Sequence, residues 1–184
     1  MLRQRTKENT IDLQLPKLGS KPYFELMDKT APEHLDRQST YIGFCLLWLS
    51  DNILDAVDVE LSPFHIAESK VDLLLLLLLH EDRKIVTPSA IADRLGIRRA
   101  SATAMLDWLE QRNWIVREQS NNDRRMTQVS ITPEGRSLVS TVLPTFWSTC
   151  ESMIKKLDIE ERNTLQEILV KLNEGIEKRL GKGR

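Results

Sequence analysis

Cationic and hydroxyl side chains cluster between residues 98 and 103, and their chemistry suits contact with nucleic acid. Arg98 and Arg99 can bind phosphate oxygens or the N7 and O6 atoms of guanine. Ser101 and Thr103 can hydrogen-bond to base edges or to the DNA backbone, and Ala102 is small enough to sit against a thymine methyl group. We therefore predict that these five side chains contact duplex DNA.

A second cationic pair follows a polar segment further along the chain. Arg124 and Arg125 come directly after Asn121, Asn122 and Asp123, which are residue types that favour turns. A turn here would project the guanidinium groups outward, and an arginine held in that way suits a narrow minor groove. The sequence thus predicts a second contact with DNA at this tip.

Two short predicted helices position the first cluster. Thr87 precedes Pro88 and Ser89, so the first helix has a hydroxyl N-cap and a proline in its first turn. We count Ser89 among the residues that contact DNA. The helix is expected to end at Gly96, the residue type best able to take a left-handed cap. A second helix follows at once, and this pattern predicts a helix-turn-helix.

The residues after residue 103 divide between packing and a hairpin. In the second helix Ala104, Met105, Leu106 and Leu109 are assigned to packing. The β-rich segments IVREQS and MTQVSI then flank the polar tip, which is the pattern of a β-hairpin. Thr132 caps a further helix that begins at Pro133.

Long helical patterns surround this unit. Apolar residues recur at helical spacing from His34 to about Val59, and His65 to about His80 forms a helix that is apolar on every side, as buried helices are. From Pro133 to about Leu180 only Pro144 and Gly175 disturb the helical pattern, and a fresh start is expected at Asp158. The final helix has an apolar stripe at i, i+3, i+4 and i+7 spacing: Leu165, Ile168, Leu169, Leu172, Ile176 and Leu180.

These patterns predict a mainly α fold with a small β wing, in which a winged helix-turn-helix lobe is carried on a helical dimerisation frame. We divide the chain into an N-terminal arm (1–33), the first dimerisation helix with its linker (34–64), the DNA-binding lobe (65–132) and the C-terminal dimerisation helices (133–184). A homodimer is expected, because one recognition helix reads few base pairs and the terminal stripe has no partner within the chain.

The overall charge does not itself indicate a nucleic-acid-binding protein. The formal net charge is -1 and the sequence pI is about 6.3. Any DNA site must therefore come from local charge. Between Thr87 and Met126 the chain holds seven arginines and five acids, which is a local net charge of about +2.

Several other classes of protein are disfavoured. Cys45 and Cys150 are too few for a disulfide scaffold, the start lacks the apolar core of a signal peptide, and the seven-leucine run is too short for a membrane span. We expect a cytoplasmic protein with no membrane association. Histidines are scattered, and nucleophile elbows, phosphate-cradling glycine loops and metalloprotease helices are missing from the sequence. We expect no metal, no cofactor and no enzymatic activity.

From about Ser69 to Val139 the chain resembles the MarR family of bacterial transcription regulators, and is nearest to its multidrug-efflux repressors. The resemblance rests on the stretch LGIRRASATAMLDWLEQRNWIVREQSNNDRRMTQVSITPEG, with Asp123 and Arg125 in a D-x-R pattern and then Thr132 and Gly135 in I-T-x-x-G. It implies that Arg125 enters the minor groove, that Asp123 orients the wing arginines, and that Arg124 contacts the backbone. It also implies subunits interlocked through their first and last helices, so that the two wings face successive grooves about 34 Å apart over a pseudo-palindrome.

The resemblance further implies a small aromatic or anionic effector bound between the dimerisation helices and the DNA-binding lobe. Phe44, Trp48, His65 and Trp108 are the candidates for that cleft, although core packing also explains each of them. One branch of the family senses peroxides through a cysteine in its first helix. Cys45 lies among apolar neighbours with no nearby cation in the sequence to lower the pKa of its thiol, which favours an inert buried cysteine.

Three functions stay open at this point. The first is a ligand-responsive repressor whose effector favours a form with wrongly spaced recognition helices. The second is a winged-helix module that binds protein through the same surface. The third is a redox switch through Cys45.

Overall fold

The computed structural model describes residues 19–82, 86–119 and 126–181 of the 184-residue chain. Its described part is mainly helical with one two-stranded antiparallel sheet, as predicted. The helices are α1 (Lys21–Thr30), α2 (Arg37–Leu61), α3 (Glu68–Leu79), α4 (Pro88–Leu95), α5 (Arg99–Glu110), α6 (Pro133–Ile154) and α7 (Ile159–Leu180), and the strands are β1 (Ile115–Gln119) and β2 (Thr127–Ile131).

The chain divides into two compact units, residues 1–50 and 51–184, and the boundary falls inside α2. The four-part division predicted from the sequence has no boundary there. The physical reason is that the two halves of α2 have different neighbours. Its first half packs with α1, whereas Val57 and Leu61 in its second half belong to the buried core of the second unit.

Aromatic rings hold the first unit together. The ring of Phe24 stacks on that of Tyr41 at a centroid distance of 4.2 Å, and Tyr23 contacts both Phe44 and Trp48 at 5.8 and 5.2 Å. The predicted N-terminal arm thus includes a helix, α1, that is attached to α2, while residues 1–18 lie outside the described residues. Asp36 begins α2 by accepting a 2.7 Å hydrogen bond from the Ser39 amide, and the hydrogen bonds from the Ser39 side chain and from this amide lower the pKa of the Asp36 carboxyl.

The leucine-rich helix α3 lies in the core of the second unit. Leu73, Leu74 and Leu77 are buried, but Leu79 is 77% exposed, which corrects the expectation that the whole run is buried. Leu79 is the last residue of α3, where the helix reaches the surface, and there an apolar side chain can face away from the core. α3 also begins at Glu68 and not at His65, because His65 takes a left-handed conformation (φ 54°) that ends the preceding 3-10 turn.

No helix within the described ranges has the length and apolar character needed to cross a membrane.

The hairpin has the predicted pairing. Ile115 faces Ile131 and Arg117 faces Val129 in the antiparallel register. The Val129 amide also donates a 2.8 Å hydrogen bond to the carbonyl of Val86, which ties β2 to the segment that leads into α4. β2 is therefore hydrogen-bonded both to β1 and to the segment before α4.

The last two helices begin where the sequence predicts. The hydroxyl of Thr132 accepts a hydrogen bond from the Gly135 amide at the start of α6, and Asp158 and Glu161 form a capping box at the start of α7. α6 continues through Pro144 and α7 continues through Gly175, so neither residue ends its helix. α7 has no buried residue, and five apolar members of its stripe are exposed: Ile168, Leu169, Leu172, Ile176 and Leu180.

Candidate nucleic-acid interface

The helix-turn-helix consists of α4, a short turn and α5. The Thr87 hydroxyl accepts a 3.2 Å hydrogen bond from the Ala90 amide and so caps α4. Gly96 has φ 66° at the other end of the helix, which confirms the predicted left-handed cap. Ile91 and Ala92 are buried, and the Ile97 amide donates to the carbonyl of Ala92 at 3.0 Å. These contacts fix the turn that precedes α5.

The buried face of α5 determines which of its residues can meet a ligand. Ala102, Leu106 and Leu109 are fully buried at i, i+4 and i+7 spacing. Around this buried face the start of the helix is exposed, and four of the predicted DNA-contacting residues are exposed there: Arg98, Arg99, Ser101 and Thr103. Ser89, in the first turn of α4, is exposed as well. All five are thus accessible on the helix-turn-helix.

Ala102 does not belong to this surface. Its exposed fraction is 0%, so its methyl group packs in the core and cannot reach a thymine methyl group in this conformation. Ala104, which the sequence assigned to packing, is exposed. The physical reason is the 3.6-residue period, which places Ala102 one turn before Leu106 on the buried face and moves Ala104 about 200° around the helix from Ala102. Both assignments are corrected.

The start of α5 is cationic. Neither α4 nor α5 has an acidic residue in its first turn, so no carboxylate offsets the positive end of either helix dipole. Among the described residues, Arg98 and Arg99 have no ion-pair partner, and both are exposed. The Thr103 hydroxyl donates to the carbonyl of Arg99 at 3.0 Å, which leaves its oxygen able to accept a further hydrogen bond.

Another arginine, Arg117 on β1, forms ion pairs, and it was not among the predicted site residues. Its guanidinium Nε donates to Glu110 at 2.9 Å, and its Nη2 lies 2.7 Å from a carboxylate oxygen of Asp107. The hydrogen bond with Arg117 lowers the pKa of Glu110, and the same bond raises the pKa of Arg117. This pairing depends on how β1 turns back beside α5, and no local pattern in the sequence signals it.

The predicted tip of the wing, with Asp123, Arg124 and Arg125, lies outside the described residues. Residues 120–125 connect β1 to β2. The roles given to these three residues therefore stay predictions.

The four candidate effector residues belong to different units, and each has neighbours within its own unit. Phe44 and Trp48 contact Tyr23 in the first unit. In the second unit Trp108 packs against Trp114, and the Arg112 guanidinium lies 3.6 Å from the centre of the Trp108 ring. His65 is exposed in the link before α3. The effector cleft stays a prediction.

A cavity of about 170 Å³ lies at the base of the wing, between the end of α3 and β2. His80 and an ion pair between Glu81 and Arg136 line it, and none of the candidate effector residues does.

Cys45 is a free, half-buried cysteine in α2. It lies one helical turn from Tyr41 and raises the pKa of the Tyr41 hydroxyl through charge repulsion. The described residues contain no group of three or more His, Cys, Asp or Glu side chains that could hold a metal ion. The redox alternative through Cys45 stays a prediction.

Residues 69–127 match the model of the MarR family. The uncharacterized HTH-type transcriptional regulator YhbI of Bacillus subtilis (strain 168) is 30% identical to the chain over 129 residues, which are 68% of this chain and 81% of that protein. The transcriptional repressor MprA of Escherichia coli (strain K12) is 33% identical over 92 residues, which are 50% of this chain and 52% of that protein, so the chain spans about half the length of this relative.

A solved structure of an Escherichia coli MarR mutant complexed with operator DNA is similar to the fold. The TM-score is 0.65 at 21% sequence identity, and the alignment covers 76% of this chain and 99% of that chain. At this identity the likeness concerns the fold alone.

Proposed function

The chain belongs to the MarR family, and from that premise we propose that it is a transcriptional regulator that binds duplex DNA as a homodimer. The exposed start of α5 contacts base edges and phosphates in the major groove, and the wing contacts the adjacent minor groove.

The observation that carries this proposal is the exposed cationic start of α5. Arg98 and Arg99 have no ion-pair partner among the described residues, and Ser101 and Thr103 in the next turn are exposed as well. A solvated arginine pair on a helix of this kind would be unremarkable alone. Its place directly after a capped helix and a glycine turn is the arrangement with which helix-turn-helix proteins contact base pairs.

The wing completes the proposed interface. We assign Arg125 to the minor groove, Asp123 to the orientation of the wing arginines, and Arg124 to the DNA backbone, as the resemblance implies. Support for the assignment comes from the hairpin itself, because β1 and β2 pair from Ile115 and Ile131 to Gln119 and Thr127, and the three residues follow β1 in the sequence.

The unpartnered face of α7 supports a homodimer. Leu169, Leu172 and Ile176 are 47%, 39% and 52% exposed, and each lies on the stripe predicted for dimerisation. Apolar surface of this kind is removed from water when a second copy of the same helix packs against it. Two recognition helices in one dimer would then read the two halves of a pseudo-palindrome.

Selection of binding sites from random-sequence duplex DNA tests the proposal. The purified chain is incubated with a random duplex library, bound DNA is recovered and sequenced over several rounds, and the winning duplex is titrated against a scrambled duplex. We expect a pseudo-palindrome to be enriched and bound well above background. If no sequence is enriched, the DNA-binding proposal is wrong, and the alternative of a winged-helix module that binds protein through this surface is favoured.

We also propose that a small aromatic or anionic molecule regulates DNA binding, so that the protein acts as a repressor that such a ligand releases. Binding of the ligand must favour the DNA-free form, since a ligand that binds both forms equally shifts nothing. The test is a titration of aromatic carboxylates against the DNA complex, with tryptophan fluorescence of the free protein as a second readout. Ligand-induced release supports the proposal, whereas DNA binding unchanged by every member of the series contradicts it.

A further inference from the structure

The inner face of the hairpin changes character along its length. Near the base, Ile115 pairs with Ile131, and both side chains are buried in the core. One step outward on the same face, Arg117 pairs with Val129, and the Arg117 side chain is 23% exposed. The next pair on that face, Gln119 with Thr127, is exposed at both positions. Arg117 is therefore the outermost side chain of this face that is attached to the body of the lobe.

Arg117 is attached to α5 and to no other helix by the ion pairs that the described residues form. Glu110 is the last residue of α5, and its carboxylate accepts hydrogen bonds from both the main-chain amide (3.1 Å) and the Nε (2.9 Å) of Arg117. Asp107, one turn earlier, binds Nη2 of the same guanidinium at 2.7 Å. The end of α5 thus binds both the backbone and the side chain of Arg117 in β1.

The charges of this cluster indicate a role in positioning. Two carboxylates and one guanidinium leave it with a net charge of -1, so the cluster does not attract phosphate. The carboxylates are 47% and 36% exposed, and ion pairs with that exposure contribute little to global stability. A planar guanidinium bound by two carboxylates instead fixes the orientation of β1 relative to the end of α5.

We propose that Arg117 is a positioning residue that sets the angle of the wing relative to α5. This inference rests on the proposed function and extends it. Because Arg117 is the outermost of the described side chains of this face that is bonded to α5, its pairing sets the direction of the strand ends beyond it, Gln119 and Thr127. The pairing with Glu110 and Asp107 therefore determines whether the wing arginines reach the minor groove while α5 occupies the major groove.

A double-mutant cycle with Arg125 tests this inference. Arg117→Lys keeps the charge but replaces the planar fork with a single ammonium group, so it cannot bind both carboxylates in the same geometry. We expect it to weaken binding to the selected duplex about tenfold in the otherwise unchanged protein. In an Arg125→Ala background, where the wing contact is already lost, the same change should weaken binding by less than about twofold.

Two further variants complete the design. Glu110→Gln removes the other partner of the pair without changing Arg117, and its effect should likewise vanish in the Arg125→Ala background. Arg112→Lys is the matched control, since Arg112 lies over Trp108 and has no ion pair with the hairpin among the described residues. Its effect, small or large, should be the same with and without Arg125.

Amide hydrogen exchange gives a readout that does not depend on DNA. Arg117→Lys should speed exchange in β1 and β2 while leaving the buried turns of α5 unchanged, whereas general destabilisation would speed both. Unaltered exchange in the strands would overturn the inference. If the effects of Arg117→Lys and Arg125→Ala multiply, the inference is also wrong while the proposed function stands. If the unmodified protein binds no duplex, both the inference and the proposed function are wrong.

Discussion

The carbonyl oxygen of Trp114 lies 2.1 Å from the position that a Cβ atom at Gly135 would occupy. Gly135 is in the first turn of α6, and Trp114 precedes β1, so two segments far apart in the sequence meet here at backbone distance. Thr132 secures the same junction, because its amide donates to the carbonyl of Trp114 at 3.1 Å and its hydroxyl donates to the carbonyl of Asn113 at 2.6 Å. The start of α6 is therefore hydrogen-bonded to the segment that follows α5.

Gly135→Ala should destabilise the protein through this contact. The added methyl group would meet main-chain atoms of Trp114 and the side chain of Ile131, which lies 2.8 Å away, and neither neighbour is the flexible end of a long side chain. We expect a loss of about 1–3 kcal/mol in the free energy of unfolding, measured by urea denaturation.

Gly175→Ala is the matched control for this experiment. No atom lies within 4 Å of a Cβ at Gly175, which is also inside a helix, so alanine should leave stability unchanged or raise it by up to about 1 kcal/mol. Equal effects at the two glycines would show that the contact at Trp114 carries no strain.

Leu169→Glu should convert the dimer to a monomer. Leu169 is 47% exposed on the stripe of α7, and a carboxylate there would be buried without a partner at the proposed interface. Sedimentation velocity should show the mass fall by half at a concentration where the unmodified protein is dimeric. The control is Lys171→Glu on another face of α7, which also introduces a negative charge and should leave the mass unchanged. A dimeric Leu169→Glu protein would mean that another surface forms the dimer.

The Glu110 carboxyl should contribute to stability at neutral pH and lose that contribution in acid. Its pKa in the folded protein is lowered by Arg117, so the folded state favours the charged form, and the stabilisation is present above the ordinary pKa of a glutamate and disappears as the pH falls through the lowered value. We expect Glu110→Gln to be less stable than the unmodified protein at about pH 7, with the difference shrinking toward about pH 3. A difference that stays constant over this range would contradict the assigned pairing.

Local signals were sufficient to predict most of the helix boundaries. Thr87, Gly96, Thr132 and Asp158 each mark an end of a helix through bonds made within a few residues, so the sequence alone identifies them. The hairpin follows for the same reason, because only a short run of turn-favouring residues separates its two β-rich segments in the sequence.

Long-range packing explains what the sequence did not predict. Ala102 and Ala104 are the same residue type, and only the position of the core relative to α5 decides that one is buried and the other exposed. The pairing of Arg117 with Glu110 and Asp107 requires the chain to turn back, and the junction of Gly135 with Trp114 joins residues that no periodic pattern relates. Such contacts become visible only when the elements are packed together.

The salt dependence of DNA binding reports how many phosphates the start of α5 contacts. The dissociation constant for the selected duplex is measured over a range of salt concentrations for the unmodified protein, for Arg98→Ala, for Arg99→Ala and for the control Arg112→Ala. We expect Arg98→Ala and Arg99→Ala to bind the duplex more weakly, with the slope of log K against log salt reduced by about one for each lost phosphate contact. The slope for Arg112→Ala should be unchanged. Slopes identical in all four proteins would contradict the claim that the start of α5 binds DNA.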